Sequence, residues 1–426
     1  MFLANKITQF FLLLILSGIV NAEESSVLTL QSAISIAVQD NPNLAQLQAR
    51  SEAMAAIPSQ VGTLPDPVIS FNALNLPVDS FDTRQENMTQ LQVGVSQTIP
   101  FPGKLALREE AASFEAEAAL QNVTEAHWWL QKNVKNTWWQ IFYLDRTLQI
   151  VDNNQILLRQ FIQVARTKYE VGQGLQQDVL LAQLELSKLM DQQLKLEGLR
   201  RNTAAQLNAL LGRPSNLPIT LPETLDLTLP KLIAEIDLYQ QAENFRALLA
   251  AKRKVINAAQ SRLDLAKKDY FPDFNVGAAY GGRDNMLSGV ERADFLSMKL
   301  SMTVPIFMAS KQAKAVDQRT SELMQQKYAL QDEWNNVRTQ ISQGSSDYRR
   351  AKDQFILFKT GIIPQARQTV ASMLAGYQVS KVDFLNLVRS QIILFNYEMQ
   401  YWNAFAEANQ SLAKLTAAVG KEEIYE

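Results

Sequence analysis

The chain of 426 residues carries 41 Lys and Arg against 43 Asp and Glu, a formal charge of −2, so no basic field points to nucleic acid. Cysteine is absent, which excludes disulfides, thiolate metal sites and a lipidated cysteine. Lys6, the mostly apolar run from Ile7 to Val20 and the closing Val20-Asn21-Ala22 read as a signal peptide over residues 1–22. Beyond it there is no run of about 18 apolar residues, so the mature protein is either soluble in the periplasm or crosses a membrane as a β-barrel.

Leu28 to Val38 reads as a short amphipathic helix with Thr29 as its N-cap. Asn41-Pro42 restarts a helix with a cap and a proline at its first position, and Pro58 should kink it before Gly62. After Leu64-Pro65-Asp66-Pro67 the period changes. Val68 to Leu76 is strand-like, Asp79 to Asn87 is a polar loop, and Gln90 to Ile99 alternates Leu91, Val93 and Val95 against Gln92, Gly94 and Ser96. Pro100-Phe101-Pro102-Gly103 ends that strand. Gly103 to Tyr169 is helix-compatible throughout and, as one helix, would be about 100 Å long. Gly172 and Gly174 supply a turn, and Leu175 to Leu211 returns as a helix.

Residues 213–238, with four prolines, form a connector, after which the plan recurs. Asn244 to Tyr270 reads as a helix and Phe274 to Gly281 as a strand; Gly282 to Asp294 reads as a loop. Leu296, Met298, Leu300 and Met302 then alternate strictly with Ser297, Lys299 and Ser301. A second long helix runs from Phe307 to Tyr377, interrupted at Pro364, and Phe384 to Val419 returns. Tyr169 to Gly212 and Tyr377 to Gly420 superpose at a constant offset of 208 with nine identities in 44 positions, which argues duplication. The expected organisation is a first repeat over 23–212, the connector over 213–238 and a second repeat over 239–426. Four strands per chain cannot close a barrel, whereas three copies would supply twelve, so the strand count demands oligomerisation.

The Asn41-Pro42 helix start, Leu64-Pro65-Asp66-Pro67, the run Gln97-Thr98-Ile99-Pro100-Phe101-Pro102-Gly103-Lys104, the Tyr169 turn and Ile363-Pro364-Gln365-Ala366 leading to Tyr377 follow in this order, on a duplicated plan. In these motifs the chain resembles the TolC-like outer-membrane efflux channels, and within them the outer-membrane components of heavy-metal efflux systems of the resistance-nodulation-division type. The resemblance implies a mainly α fold with a small β part: a homotrimer with a twelve-stranded barrel in outer-membrane lipid, continued by a coiled-coil periplasmic tunnel. It also implies an inner-membrane pump and a periplasmic adaptor, or membrane fusion protein, as partners. Asp178 matches the place of the acidic residues that ring the aperture of such channels; in the second half Asp383, Asn386 and Arg389 stand near the corresponding place. A carboxylate at a helix start also suits the macrodipole, so both roles stand for Asp178 and Asp383. The turns, with Tyr169, Val171, Gly172, Gly174, Tyr377, Val379 and Ser380, are the expected adaptor contact. Leu91, Val93, Val95, Leu296, Met298, Leu300 and Met302 are expected to face lipid.

His127 has no second His or Cys to share a metal and is expected at an exposed helix position. Met286, Met298, Met302 and Met308 invite a soft-metal reading, but Met298 and Met302 lie on an apolar strand face, where packing accounts for them. The pairs Trp128-Trp129 and Trp138-Trp139 are expected to pack helix against helix. No nucleophile, base and orienter set and no phosphate loop is evident, and no cofactor is expected. The function that follows is a passive exit duct, with metal cations as the expected cargo. A duct for drugs or for type I protein secretion, and a periplasmic coiled-coil scaffold, remain as alternatives.

Overall fold

The structure, a computed structural model, describes residues 27–425, so the signal-peptide segment over 1–22 lies outside the described residues. The elements follow in the order α1 (Leu30–Asp40), α2 (Pro42–Ala55), α3 (Ile57–Gly62), β1 (Val68–Leu74), β2 (Gln90–Ile99), α4 (Lys104–Glu170) and α5 (Gln176–Leu210). The second half contains α6 (Glu235–Phe245), α7 (Ala247–Lys268), β3 (Phe274–Gly282), β4 (Phe295–Met302), α8 (Gln312–Leu357), a π-helical turn Phe358–Ile362, α9 (Ile363–Gln378) and α10 (Phe384–Val419). No helix among the described residues is long and apolar enough to cross a membrane.

The chain divides into two compact units. The unit of residues 41–132, 230–349 and 411–426 contains the sheet. Its four strands are antiparallel in the order β1-β2-β3-β4, leaving one side of β1 and one side of β4 unpaired. Opposed residues in such pairs share a face. The register therefore gathers Phe71, Val93, Tyr280 and Leu296 into one row and Ile69, Val95, Ala278 and Met298 into the next. The opposite face carries Ser70, Gly94, Ala279 and Ser297. A Cβ added at Gly94 would sit 2.9 Å from Ser70 Oγ and 3.1 Å from Ala279 Cβ, whereas Met298 on the other face is 83% exposed. The polar face is the crowded one, and the apolar face is bare.

Below the strands Lys104 is buried and joins the junction of β3 to that of β2. Its Nζ lies 2.9 Å from Asp273 Oδ1 and 3.1 Å from Asp269, and donates to the Phe271 carbonyl at 3.2 Å. Asp273 Oδ1 also accepts from the Phe101 amide at 2.8 Å. Lys104, which follows Gly103, and Asp273, which follows Pro272, thus form one polar knot. In the same unit Ala259 and Leu263 of α7 pack with Leu323 of α8.

The second unit comprises the described residues up to 40, with 133–229 and 350–410. Trp138 is buried, stacks with Phe142 and donates its indole N–H to the Leu28 carbonyl at 3.0 Å; Trp139 meets Phe405 edge to face. That pair packs as its sequence implies. Trp129 of the other pair is instead half exposed under Lys132, and His127 is half-buried, hydrogen-bonded to Gln131 at 3.2 Å, not exposed as expected.

The element boundaries match where local signals are strong. Thr29 Oγ1 accepts from the Ser32 amide at 3.1 Å, and Asn41 Oδ1 from Asn43 and Leu44 at 3.0 and 3.1 Å, so both expected caps form. They depart elsewhere. β1 stops at Leu74 because Asn75 takes φ 53° and its carbonyl accepts from Thr89 Oγ1. α6 begins at Glu235, inside the expected connector, and the helix expected from Asn244 is broken at Arg246, which is extended at φ −69° and ψ 111°. At Pro364, which has no N–H to donate, the helix widens into the π turn of Phe358–Ile362 and continues to Gln378.

Candidate functional site

The two helix turns in the second unit hold most of the residues that the sequence singles out, and both end in the same hydrogen-bond pattern. At the end of α4 the Gly172 amide donates to Tyr169 O at 3.0 Å and Gln173 to Lys168 O at 2.7 Å; at the end of α9, Ser380 donates to Tyr377 O at 3.1 Å and Lys381 to Gly376 O at 2.9 Å. These are Schellman closures, which require a left-handed residue after the helix. Gly172 supplies φ 72° without penalty, and Ser380 adopts φ 59° in spite of its side chain. Ser380 Oγ accepts from Lys168 Nζ at 2.8 Å, a bond that ties the two turns together.

A complementary exchange of size supports each turn. A Cβ on Gly174 would lie 2.9 Å from Lys168 Cβ, while Gly376, the position aligned with Lys168, has Val382 so close that a Cβ would meet its Cγ2 at 2.6 Å. In each turn one member of the contacting pair is glycine, and it is the opposite member in the two halves.

The aligned tyrosines have different fates. Tyr169 is 48% exposed, but Tyr377 is 5% exposed and packs with Phe384, Leu158 and Ala182. Its ring lies 5.1 Å from Phe384, Lys168 Nζ stands 4.9 Å from its centroid, and its hydroxyl donates to Asp178 Oδ2 at 3.4 Å. Burial, with the nearby Asp178 charge, pushes the Tyr377 hydroxyl up to about 12, so it stays a donor at any physiological pH. Asp178 starts α5, its amide bonding Leu175 O at 3.1 Å. Partial burial and the charge of Asp383 raise its carboxyl above the ordinary range, against the opposing effects of the Tyr377 bond and Lys168.

The structure thus brings Asp178, Asp383, Tyr377 and Ser380 together with Lys168, which the sequence reading had not singled out. Asn386 and Arg389 are exposed on α10, and no described hydrogen bond or ion pair joins Arg389 to Asp178 within the chain. Asp383 accepts from the amides of Asn386 and Leu387 through its backbone oxygen, at the position that starts α10. Tyr169, Val171, Leu175 and Val379 leave apolar side chains exposed on the turns. Deeper in this unit Gln391 Nε2 donates to Asn154 Oδ1 at 2.7 Å, a buried amide pair that the alternating Leu and Gln pattern concealed. No group of three His, Cys, Asp or Glu side chains that could hold a metal occurs among the described residues.

Known proteins share this architecture. The cobalt-zinc-cadmium resistance protein CzcC of Cupriavidus metallidurans is 20% identical over 406 residues, covering 94% of this chain and 91% of the relative. Among solved structures, the outer membrane protein VceC of Vibrio cholerae aligns with a TM-score of 0.78 at 17% identity, over 92% of this chain and 97% of that one. CusC gives 0.77 at 17% identity, over 92% of each chain. The open-state MtrE outer membrane channel of Neisseria gonorrhoeae gives 0.74 at 17%, over 92% and 89%. The sequence pattern described as outer membrane efflux protein matches residues 33–213 and 238–421, most of both halves. The chain therefore belongs to the outer membrane efflux protein family: it is a transport channel of the Gram-negative outer membrane and not an enzyme.

Proposed function

We propose that the chain is the exit duct of a tripartite metal-efflux system, a homotrimer that receives cations from an inner-membrane resistance-nodulation-division pump through a periplasmic adaptor. The observation that carries the reading is the sheet: one largely apolar face, interrupted at Gln97, one largely polar face, and open edges on β1 and β4. Such a sheet exposes both edges and apolar surface if left alone. Pairing β4 of one copy with β1 of the next removes every edge at twelve strands, with Leu91, Val93, Val95, Leu296, Met298, Leu300 and Met302 toward lipid. Residues 23–212 and 239–426 then act as two repeats about the connector 213–238.

In this trimer Asp178 and Asp383 line the periplasmic aperture, and Arg389, exposed on α10, pairs with Asp178 of a neighbouring repeat in the closed state. Exposed Tyr169, Val171 and Val379, on turns set by Gly172, Gly174 and Ser380, form the adaptor contact. Metal cargo is supported by the likeness to CzcC, whose name states cobalt, zinc and cadmium resistance. The test is twofold. Native mass spectrometry in detergent should give a trimer, and deleting the gene should lower tolerance to zinc, cobalt or cadmium. A stable monomer that still inserts into bilayers refutes the assembly; loss of drug tolerance with metal tolerance intact refutes the cargo.

A further inference from the structure

The four strands contain a single charged side chain, Lys299 at the middle of β4. Its register places it opposite Gly277, on the face that carries Ser70, Gly94, Ser96, Asn275 and Ser297, and these residues line a shallow hollow together with Lys299. Glycine at the opposed position leaves the lysine stem free space across the strand. No ion pair among the described residues involves Lys299. On the alternate positions, Met298 and Leu300 belong to the bare apolar face, so a barrel that turns that face to lipid must turn Lys299 inward.

We propose that Lys299, present once per protomer, forms a three-membered cationic ring in the barrel lumen and makes this segment of the duct prefer anions. The proposal rests on the trimeric barrel described above. Rings of lysine or arginine line anion-preferring pores because nothing else of comparable charge competes in a neutral lumen. In this barrel the remaining strand lining is uncharged, with hydroxyl, amide and glycine positions beside Val68, Leu74, Ala279 and Phe295. Three unit charges acting across roughly 10 Å of water, attenuated by one Debye length at 0.1 M salt, should favour a monovalent anion over a monovalent cation by about fourfold. At 1 M, where the screening length shrinks to roughly 3 Å, the preference should vanish. A divalent metal ion meets the same ring as a barrier, so its outward movement through the barrel depends on drive from the pump or on accompanying anions.

The test uses the full-length channel in planar bilayers, with the reversal potential read under a KCl gradient. Lys299→Arg should keep the preference of the wild type; Lys299→Gln should lower the anion-to-cation permeability ratio about fourfold, and Lys299→Glu should shift it further toward cations. The chain has no cysteine, so Lys299→Cys provides a unique thiol that can be modified after folding. A methanethiolsulfonate bearing a trimethylammonium group forms a mixed disulfide with that thiol, releases methanesulfinate and should restore the anion preference. Its sulfonate counterpart should reverse it. Absence of trimers or of channels in the wild type would overturn the barrel reading itself. Normal channels whose permeability ratio is the same for Lys299→Glu, for Lys299→Gln and for both labelled forms would overturn the ring and leave the barrel standing.

Discussion

The Tyr377 hydroxyl donates to the Asp178 carboxylate at 3.4 Å, a bond between residues 199 apart that joins the start of one return helix to the end of the helix before the other. Tyr377 is held by Phe384 and capped by Lys168, which itself reaches Ser380. In the proposed trimer, opening the aperture at these turns would separate α5 from α9, and this cluster would resist it. Tyr377→Phe keeps the ring packing and removes only the donor, which should cost about 1 kcal/mol in the closed arrangement and raise open probability about fivefold. Single-channel recording in planar bilayers checks it; unchanged open probability in Tyr377→Phe and Lys168→Ala alike would place the constriction elsewhere.

Acid should act on the same cluster. Burial, followed by the charge of Asp383, raises the Asp178 carboxyl above its ordinary value of 3.8, so the folded state favours the protonated form. The sign follows: the relative stability from protonation is present below the unfolded value and is lost as pH rises through the folded one. Any cation preference due to Asp178 should therefore decline on acidification at a pH above 3.8, earlier than for an ordinary aspartate. Asp178→Asn should lack that step. Reversal potentials measured from neutral to acid pH give the comparison, and an identical step in both proteins removes Asp178 from the role.

The face assignment of β4 can be tested by charge. Met298→Arg and Leu300→Arg should each impair outer-membrane assembly, since a cation on the lipid face near the midplane costs about 2 to 4 kcal/mol in barrels. Ser297→Arg and Ser301→Arg, on the other face, should be much milder. Equal losses from both faces in membrane fractionation would contradict the assignment.

Where signals are local, the sequence is a sufficient guide. Gln90–Ile99 and Phe384–Val419 form over the residues their patterns imply, because a period of two and a capped helix start are both written within a few residues. Lys104 closes the Gln97–Lys104 run and Asp273 immediately precedes β3, yet their ion pair spans 169 residues and has no local trace. The left-handed Ser380 could be found only through its alignment with Gly172, since a serine in isolation does not announce positive φ. The Tyr377 bond to Asp178 was illegible for another reason: duplication implied that Tyr169 and Tyr377 were equivalent, and packing makes only one of them a buried donor.

Gly212 and Gly420, also 208 apart, close α5 and α10 with φ 69° and 77°. A Cβ would stand 2.6 Å from the Asp40 carbonyl oxygen in the first case and 2.6 Å from that of Phe245 in the second. Each glycine thus lets a return helix end against the carbonyl that terminates α1 or α6. Alanine at either site meets both the left-handed penalty and a rigid backbone atom, and should destabilise by about 2 to 4 kcal/mol. Gly198 provides the control: it lies inside α5 with nothing within 4 Å of an added Cβ, and Gly198→Ala should stabilise by about 0.5 to 1 kcal/mol. Thermal unfolding of the three variants should separate them in that order.

The break at Arg246 gives the last test, since it shows how the second half replaces a cap that the first half builds into its own chain. Asn41 accepts from the amides of α2 with its own side chain, whereas Arg246 has no acceptor to offer. Glu125, from α4, accepts from the Leu248 amide instead and holds the buried Arg246 guanidinium at 2.8 Å. Burial raises the Glu125 carboxyl, an effect that Arg246 and the Leu248 bond only partly offset, and burial lowers Arg246. The pair is therefore costly to bury and costlier to break. Glu125→Ala should destabilise by about 3 to 5 kcal/mol, because it removes the ion-pair partner of buried Arg246, with Glu333 the remaining nearby anion, and leaves the Leu248 amide without that acceptor. Glu125→Gln keeps an acceptor but not the charge and should fall between Glu125→Ala and wild type. Combining Glu125→Leu with Arg246→Leu removes both desolvation costs and should recover most of the loss, short of about 1 kcal/mol for the missing cap. Denaturant or thermal unfolding in detergent, read as a double-mutant cycle, decides the matter: additive losses with no recovery in the double variant would mean that the two charges act independently.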